Sequence, residues 1–325
     1  MKSAPLGRTN VSVTTLGFGA APIGNLFTAV TDVEALATME SAWNGGIRYF
    51  DTAPHYGLGL SERRVGETLS KHARSEYVIS TKVGRLLRPN PAPRGSDLES
   101  GGFATPDDLV RVIDYSRTGV TQSLEESLTR LGTSYVDIVY VHDPDQHVDQ
   151  VITETFPALV KLREEGLIGA IGAGMNDWRP LLSFVEKCDI DVVMVAGRWT
   201  LLDRSAAPLL KACVRRGVGV VCAAPFNSGI LATNTPQRSD SFDYERVSPS
   251  RLARARALAA LCLEHGVDLP QAALQFPLRH EGVAAVVVGM RSAQETQRDI
   301  EMMQSSVPGS FWEQLERFDA RWSHL

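Results

Sequence analysis

The sequence predicts an α/β fold: a closed (β/α)8 TIM barrel with an N-terminal hairpin and extra loops and helices at the C-terminal side of its strands. Three observations predict it. Short runs of Val and Ile alternate with helical patterns eight times along 325 residues, and continuous apolar strands of this kind belong to a parallel sheet covered on both faces. Eight units favour a closed barrel over an open sheet. Reactive polar residues stand at the ends of several strands, where barrels of this kind build their sites.

The elements follow in order. Gly7-Arg8-Thr9-Asn10 is the turn of the small hairpin. Leu16–Gly19 is a first strand, followed by a helix over about 32–44; Ile47–Phe50 leads to one over about 61–71, with Ser61 as its N-cap. Tyr77–Thr81 leads across a long loop to a helix over about 106–131, and Val136–Val141 to one over about 152–165. Leu167–Ile171, Val192–Val195, Val218–Val221 and Ala284–Val288 precede helices near 178–187, 205–215, 250–265 and 292–304. Residues 1–325 read as one domain. Leu86–Phe103 and Asn227–Pro249 interrupt the alternation after strands three and seven, so both should lie over one mouth of the barrel, while Phe311–Leu325 adds a terminal helix that packs.

Composition narrows the function classes. With 43% hydrophobic and 22% charged residues the chain is an ordinary globular enzyme by content, and a net charge of −5 argues against a nucleic-acid or anionic-membrane surface. Four scattered cysteines, Cys188, Cys213, Cys222 and Cys262, signal neither a zinc site nor a disulfide framework. No run reaches transmembrane length, and Met1–Pro5 lacks the apolar core of a signal peptide, so a cytoplasmic protein is expected.

Asp51, Tyr56, Lys82 and His142 end or follow strand-like runs. A carboxylate, a phenol, an ammonium and an imidazole gathered at one mouth are the parts of a proton-transfer site working on a carbonyl. Taken singly, each is equally an ion pair, a rim aromatic or a core histidine; the joint pattern carries the reading. An ammonium beside Tyr56 should lower its pKa from the usual value near 10, with Asp51 holding Lys82 charged. The chain supplies a proton but no hydride, which implies a nicotinamide cofactor. No G-x-G-x-x-G follows the first strand, so a Rossmann domain is not expected.

Gly45 to Gly57 followed by Gly59-Leu60-Ser61-Glu62, with Ser80-Thr81-Lys82-Val83 and Val141-His142 downstream, closely resembles the signature of the aldo-keto reductases. The resemblance covers nearly the whole chain. It implies a catalytic tetrad of Asp51, Tyr56, Lys82 and His142, and a dinucleotide lying extended across the barrel mouth. It also implies cofactor contacts from Asn176, preceded by Met175 where the family usually has serine, from Pro225, Phe226 and Ser228, and from Gly289, Met290, Arg291, Glu295 and Asp299. A carboxylate at 295 would accept from ribose hydroxyls and repel a 2′-phosphate, favouring NAD, while Arg291 and Arg298 keep NADP possible. Residues 51–62, 172–176 and 196–202 look most like the aldose 1-dehydrogenases acting on L-fucose, D-threo-aldoses such as D-arabinose, or L-galactose, and like their pyridoxal dehydrogenase relatives. Asp143, Arg198, Trp199 and Asn227 are then candidate substrate contacts.

The expected partner is a small sugar or aldehyde, the expected state a monomer or weak homo-oligomer, and no metal is expected. The alternatives are a general aldehyde or ketone reductase, a cofactor-binding regulatory subunit without turnover, and a metal-dependent hydrolase suggested by His142-Asp143-Pro144-Asp145-Gln146-His147.

Overall fold

The computed structural model describes residues 1–322. Eight parallel strands close into a barrel: β1 Leu16–Gly19, β2 Tyr49–Asp51, β3 Val78–Val83, β4 Val136–His142, β5 Ile168–Met175, β6 Val192–Ala196, β7 Gly219–Ala223 and β8 Val283–Gly289. Each strand pairs with its neighbour in sequence, and β8 closes on β1 through Val286↔Leu16 to Gly289↔Gly19. The helices of seven or more residues are α1 Asp32–Asn44, α2 Leu60–Leu69, α3 Arg117–Leu131, α4 Phe156–Glu164, α5 Trp178–Lys187, α6 Ala207–Arg216, α7 Pro249–Glu264, α8 Leu269–Gln275, α9 Ala293–Gln304 and α10 Gly309–Trp322. The last three residues expected in the terminal helix lie outside the described residues. None of the described helices is long and apolar enough to cross a membrane.

Period-two alternation sorts the strand residues into two cores. Phe50, Val139, Val141, Ile171, Val193, Val195, Val286 and Val288 face outward under the helices. Tyr49, Ile138, Tyr140, Ala170, Val192, Met194, Val221, Ala285 and Val287 fill the interior. Two-sided burial explains why the strands read as unbroken apolar runs. The β5–β6 pairing also needs a small residue: a Cβ on Gly172 would stand 1.8 Å from the Val192 carbonyl oxygen.

The N-terminal hairpin, Ser3–Pro5 paired with Ser12–Thr14, sends Leu6 and Val13 into the interior cluster at the end of the barrel opposite the reactive residues. Thr14 Oγ1 accepts from the Arg48 and Tyr49 amides at 3.1 and 3.2 Å, fixing the start of β2. Helix α1 begins with a capping box in which Glu34 N donates to Thr31 Oγ1 and Thr31 N to the Glu34 carboxylate.

Three expectations need correction. The helix over 106–131 starts only at Arg117, capped by Ser116; Leu109–Ile113 is a strand pairing antiparallel with Arg85–Pro89. Val110, Val112 and Ile113 are β-branched and favour the pleated conformation, so part of the expected irregular loop is a hairpin over the mouth. Ser61 does not cap α2: its hydroxyl donates to the Ala20 carbonyl at 2.9 Å and meets Thr52 Oγ1 at 2.8 Å. Helix α8, opened by Pro270, falls where no separate helix is expected.

Candidate active site

Asp51, Lys82 and His142 end inward-facing rows of β2, β3 and β4, and each stands two residues beyond another polar residue: Tyr49, Ser80 and Tyr140. The interior therefore carries a column of hydroxyls beneath its charges. The Tyr140 and Tyr49 hydroxyls meet at 3.2 Å, Tyr49 meets Ser80 Oγ at 3.2 Å, and Ser80 Oγ donates to Asp51 Oδ1 at 2.6 Å. Lys82 Nζ donates to Asp51 Oδ2 at 2.7 Å and to the Thr52 carbonyl at 3.0 Å. Both charges are almost wholly buried, so the pair holds only because each partner and its remaining hydrogen-bonding capacity is engaged.

Tyr56 comes from the loop after β2. Gly57, at φ +62°, passes so close to the loop after β1 that a Cβ would lie 2.2 Å from the Gly24 carbonyl oxygen. This turn lays the Tyr56 ring over Lys82, whose Nζ is 4.7 Å from the ring centroid. Burial pushes the Tyr56 pKa up to about 12; the Lys82 charge and a hydrogen bond from it act the other way without overcoming burial. The expected direction of the Lys82 effect is present, but the net shift is upward. Burial also opposes the charge on Lys82, yet Asp51 and Tyr56 hold its pKa above the ordinary lysine value.

His142 stands perpendicular to Tyr56, with ring centroids 5.9 Å apart. Burial, followed by the charges of Arg85 and Lys82, keeps its imidazole neutral. The adjacent Asp143 sits at φ +45° and ion-pairs with Arg85 at 2.8 Å. Burial raises its pKa, and Arg85 offsets part of the rise. Tyr115 donates to the His142 carbonyl at 2.6 Å and to that of Asp143 at 3.0 Å, pinning the end of β4. His147 instead packs against Tyr115, and the described residues hold no group of three His, Cys, Asp or Glu able to ligate a metal.

The remaining candidates divide into open and packed groups. Asn176, Ser228 and Gly289 are exposed at the ends of β5, β7 and β8. Arg198 pairs with Asp243 at 2.7 Å, and Asn227 Nδ2 donates to the Gly197 carbonyl at 3.0 Å, tying the loops after β6 and β7 together. Trp199 turns its ring onto Phe276 and His280. Both side chains take part in loop packing, yet Trp199 Nε1 and Asn227 Oδ1 are buried without a hydrogen-bond partner among the described residues. Pro225 is buried, Phe226 is partly buried against both surrounding cores, and Met290 is fully buried, leaving mainly backbone at those positions.

These strand ends belong to a known pattern. A model of the aldo/keto reductase family matches residues 15–320. The chain is an aldo-keto reductase. It is 46% identical over 309 residues to a D-threo-aldose 1-dehydrogenase from Pseudomonas sp, covering 94% of each chain. It is 39% identical to a pyridoxal 4-dehydrogenase from Microbacterium luteolum, covering 95% of each. The holo form of an aldo-keto reductase from Bacillus halodurans superposes with a TM-score of 0.77 at 25% identity, covering 97% of this chain and 95% of that one. The protein is thus an NAD(P)-dependent oxidoreductase.

The residues at the mouth fit such a dinucleotide. The amide of Asn176 has no hydrogen-bond partner among the described residues, the turn at Ala224, Ser228 and Gly229 exposes backbone, and bare Gly289 extends the open rim. At the far end, Glu295 accepts from the Arg291 amide at 2.9 Å, and Ser292 caps α9 by accepting from the Glu295 amide at 3.1 Å. Asp299 lies one turn further on, its pKa raised to about 7 by burial and by Glu295. The Arg291 guanidinium donates to the Leu26 carbonyl at 3.1 Å.

Sequence reasoning missed Tyr49, Ser80 and Tyr140, although their i−2 spacing from the site residues was readable. It also missed His55, the residue before Tyr56, and three residues that reach the site from more distant segments: Phe103 against the Tyr56 ring, Arg111 on the His55 carbonyl and Arg85 on Asp143.

Proposed function

We propose that the whole chain, as one barrel domain, oxidises the C1 hydroxyl of a cyclic aldose such as L-fucose, D-arabinose or L-galactose to the lactone, with NAD as the preferred cofactor. The observation that carries the chemistry is the convergence of Tyr56, Lys82 and neutral His142 above the buried Asp51. The aldose class is supported by the 46% identity to a D-threo-aldose 1-dehydrogenase along nearly the full chain.

In this reading His142 donates a hydrogen bond to the substrate oxygen and orients it toward Tyr56. Tyr56 takes the hydroxyl proton in oxidation and gives it back in reduction. Lys82 stabilises the phenolate that forms, and Asp51 keeps Lys82 charged and in place. A nicotinamide dinucleotide held at this mouth would supply the hydride chemistry that the chain's own residues lack. Two carboxylates in the first turns of α9, Glu295 and Asp299, suit ribose hydroxyls and oppose a 2′-phosphate, while Arg291 is engaged with the Leu26 carbonyl. A monomer or weak homo-oligomer suffices, since the residues invoked all come from one chain.

A second reading, pyridoxal oxidation, is favoured by the aromatic wall of His55, Phe103 and Tyr56, which suits a flat heteroaromatic ring, and by the 39% identity to a pyridoxal 4-dehydrogenase. Initial rates of reduced-cofactor formation with L-fucose, D-arabinose, L-galactose and pyridoxal, each with NAD and NADP, test both. Oxidation of pyridoxal alone would replace the first reading with the second. Turnover confined to the reduction of simple aldehydes would overturn both.

A further inference from the structure

His55 plays no part in the proton-transfer scheme, yet it stands in the middle of the site. Its ring lies 5.6 Å from that of His142, 6.1 Å from that of Tyr56 and 5.3 Å from that of Phe103, edge-on to both His142 and Phe103. Its backbone is held from the hairpin after β3. Arg111 Nη2 donates to the His55 carbonyl at 2.8 Å, and the same guanidinium forks onto buried Asp97 at 2.6 and 2.7 Å. An imidazole clamped from both sides is positioned rather than left to wander, as a selective contact requires.

The ring has unspent hydrogen-bonding capacity. Nδ1 is sealed from solvent without a partner, and neither ring nitrogen bonds to any described residue. Burial, followed by the charges of Arg85, Arg111 and Lys82, lowers its pKa to about 2, so the ring stays neutral and carries one N–H. A sealed donor without an acceptor is the costlier arrangement, which places the proton on Nε2, the nitrogen left to meet a ligand.

Resting on the oxidation of a hydroxyl held by Tyr56 and His142, we propose that His55 is a specificity-determining residue whose Nε2–H donates to the hydroxyl on the carbon next to the reacting carbon. Two neutral imidazoles side by side then read two neighbouring oxygens, and a substrate with hydrogen at the second carbon leaves the His55 donor unpaired in a half-buried site. One missing hydrogen bond of this kind changes kcat/KM by about tenfold.

The test compares matched substrates. L-Fucose is set against 2-deoxy-L-fucose in oxidation, and glyceraldehyde against 3-hydroxypropanal in reduction, with wild type, His55→Phe and His55→Gln. Wild type should prefer the 2-hydroxylated member of each pair by about tenfold in kcat/KM. The preference should collapse toward one in His55→Phe and return in part in His55→Gln, whose amide restores a donor. Titration with reduced cofactor confirms that the variants are folded. A wild-type ratio near one overturns the proposal whatever the variants do, and so does an equal loss on both members of a pair in His55→Phe. If no aldose is oxidised, the aldose reading fails while the reduction pair still decides the role of His55.

Discussion

Replacing Lys82 by Met removes the charge 4.7 Å from the centre of the Tyr56 ring. At an effective dielectric of about 20, a unit charge at that distance is worth about 3.5 kcal/mol to a phenolate, which corresponds to about 2.6 pH units. Tyr56 already titrates near 12 because of burial, so the phenolate is scarce across the working range and the loss of Lys82 makes it scarcer still. Oxidation needs Tyr56 to accept a proton; kcat/KM for the aldose should therefore climb about tenfold per pH unit between about 7 and 10 in wild type. In the variant the same limb should lie about 2.6 units further alkaline, with a correspondingly lower rate at any fixed pH. Initial rates of reduced-cofactor formation across that range, at subsaturating sugar, read both limbs. A wild-type profile that is flat below about pH 9, or a variant whose limb does not move, would refute the assignment of Tyr56 as a base tuned by Lys82.

Tyr56→Phe should lower turnover by about 10²–10⁴-fold while cofactor affinity, followed by fluorescence titration, stays close to wild type. Glu295→Arg removes a carboxylate from the start of α9 and introduces a donor fork, so the ratio of kcat/KM with NADP to that with NAD should rise; an unchanged ratio would place the adenosine ribose elsewhere. Arg130→Met leaves Glu62, fully buried and bonded to Arg130 Nε at 2.6 Å and to Thr81 Oγ1 at 2.6 Å, with an unpaired charge. Stripping one partner from such a pair costs about 3–5 kcal/mol, readable as a lower urea midpoint, and an unaltered midpoint would show that the pair contributes little.

The barrel and the candidate residues Asp51, Lys82 and His142 were legible because hydrophobic periodicity marks the strand ends they occupy, and Tyr56 because it follows one such end by five positions. Tyr49, Ser80 and Tyr140 obey the same period-two rule one step further down, but their significance depends on β2, β3 and β4 being consecutive neighbours in a closed sheet. Pairings such as Arg111 with the His55 carbonyl, 56 positions apart, or Arg130 with Glu62, 68 apart, leave no local trace. Leu109–Ile113 was misread because an apolar run beside a helical pattern is absorbed into it unless β-branching is weighed. The upward net shift of Tyr56 was hidden for a related reason: the sequence shows the cation beside the phenol, whereas the burial that outweighs it belongs to the assembled loops.

The hairpin that delivers Leu6 and Val13 makes the barrel a vessel with one mouth. Below Asp51 the hydroxyl column runs from Ser80 through Tyr49 to Tyr140 and then meets an interior of Ile138, Ala170, Val192 and Val221 closed by those two residues. The walls beneath Tyr140 are apolar and offer a proton none of the hydroxyls that line the column above. In the proposed reaction a proton taken up by Tyr56 would then leave on the side from which the substrate enters.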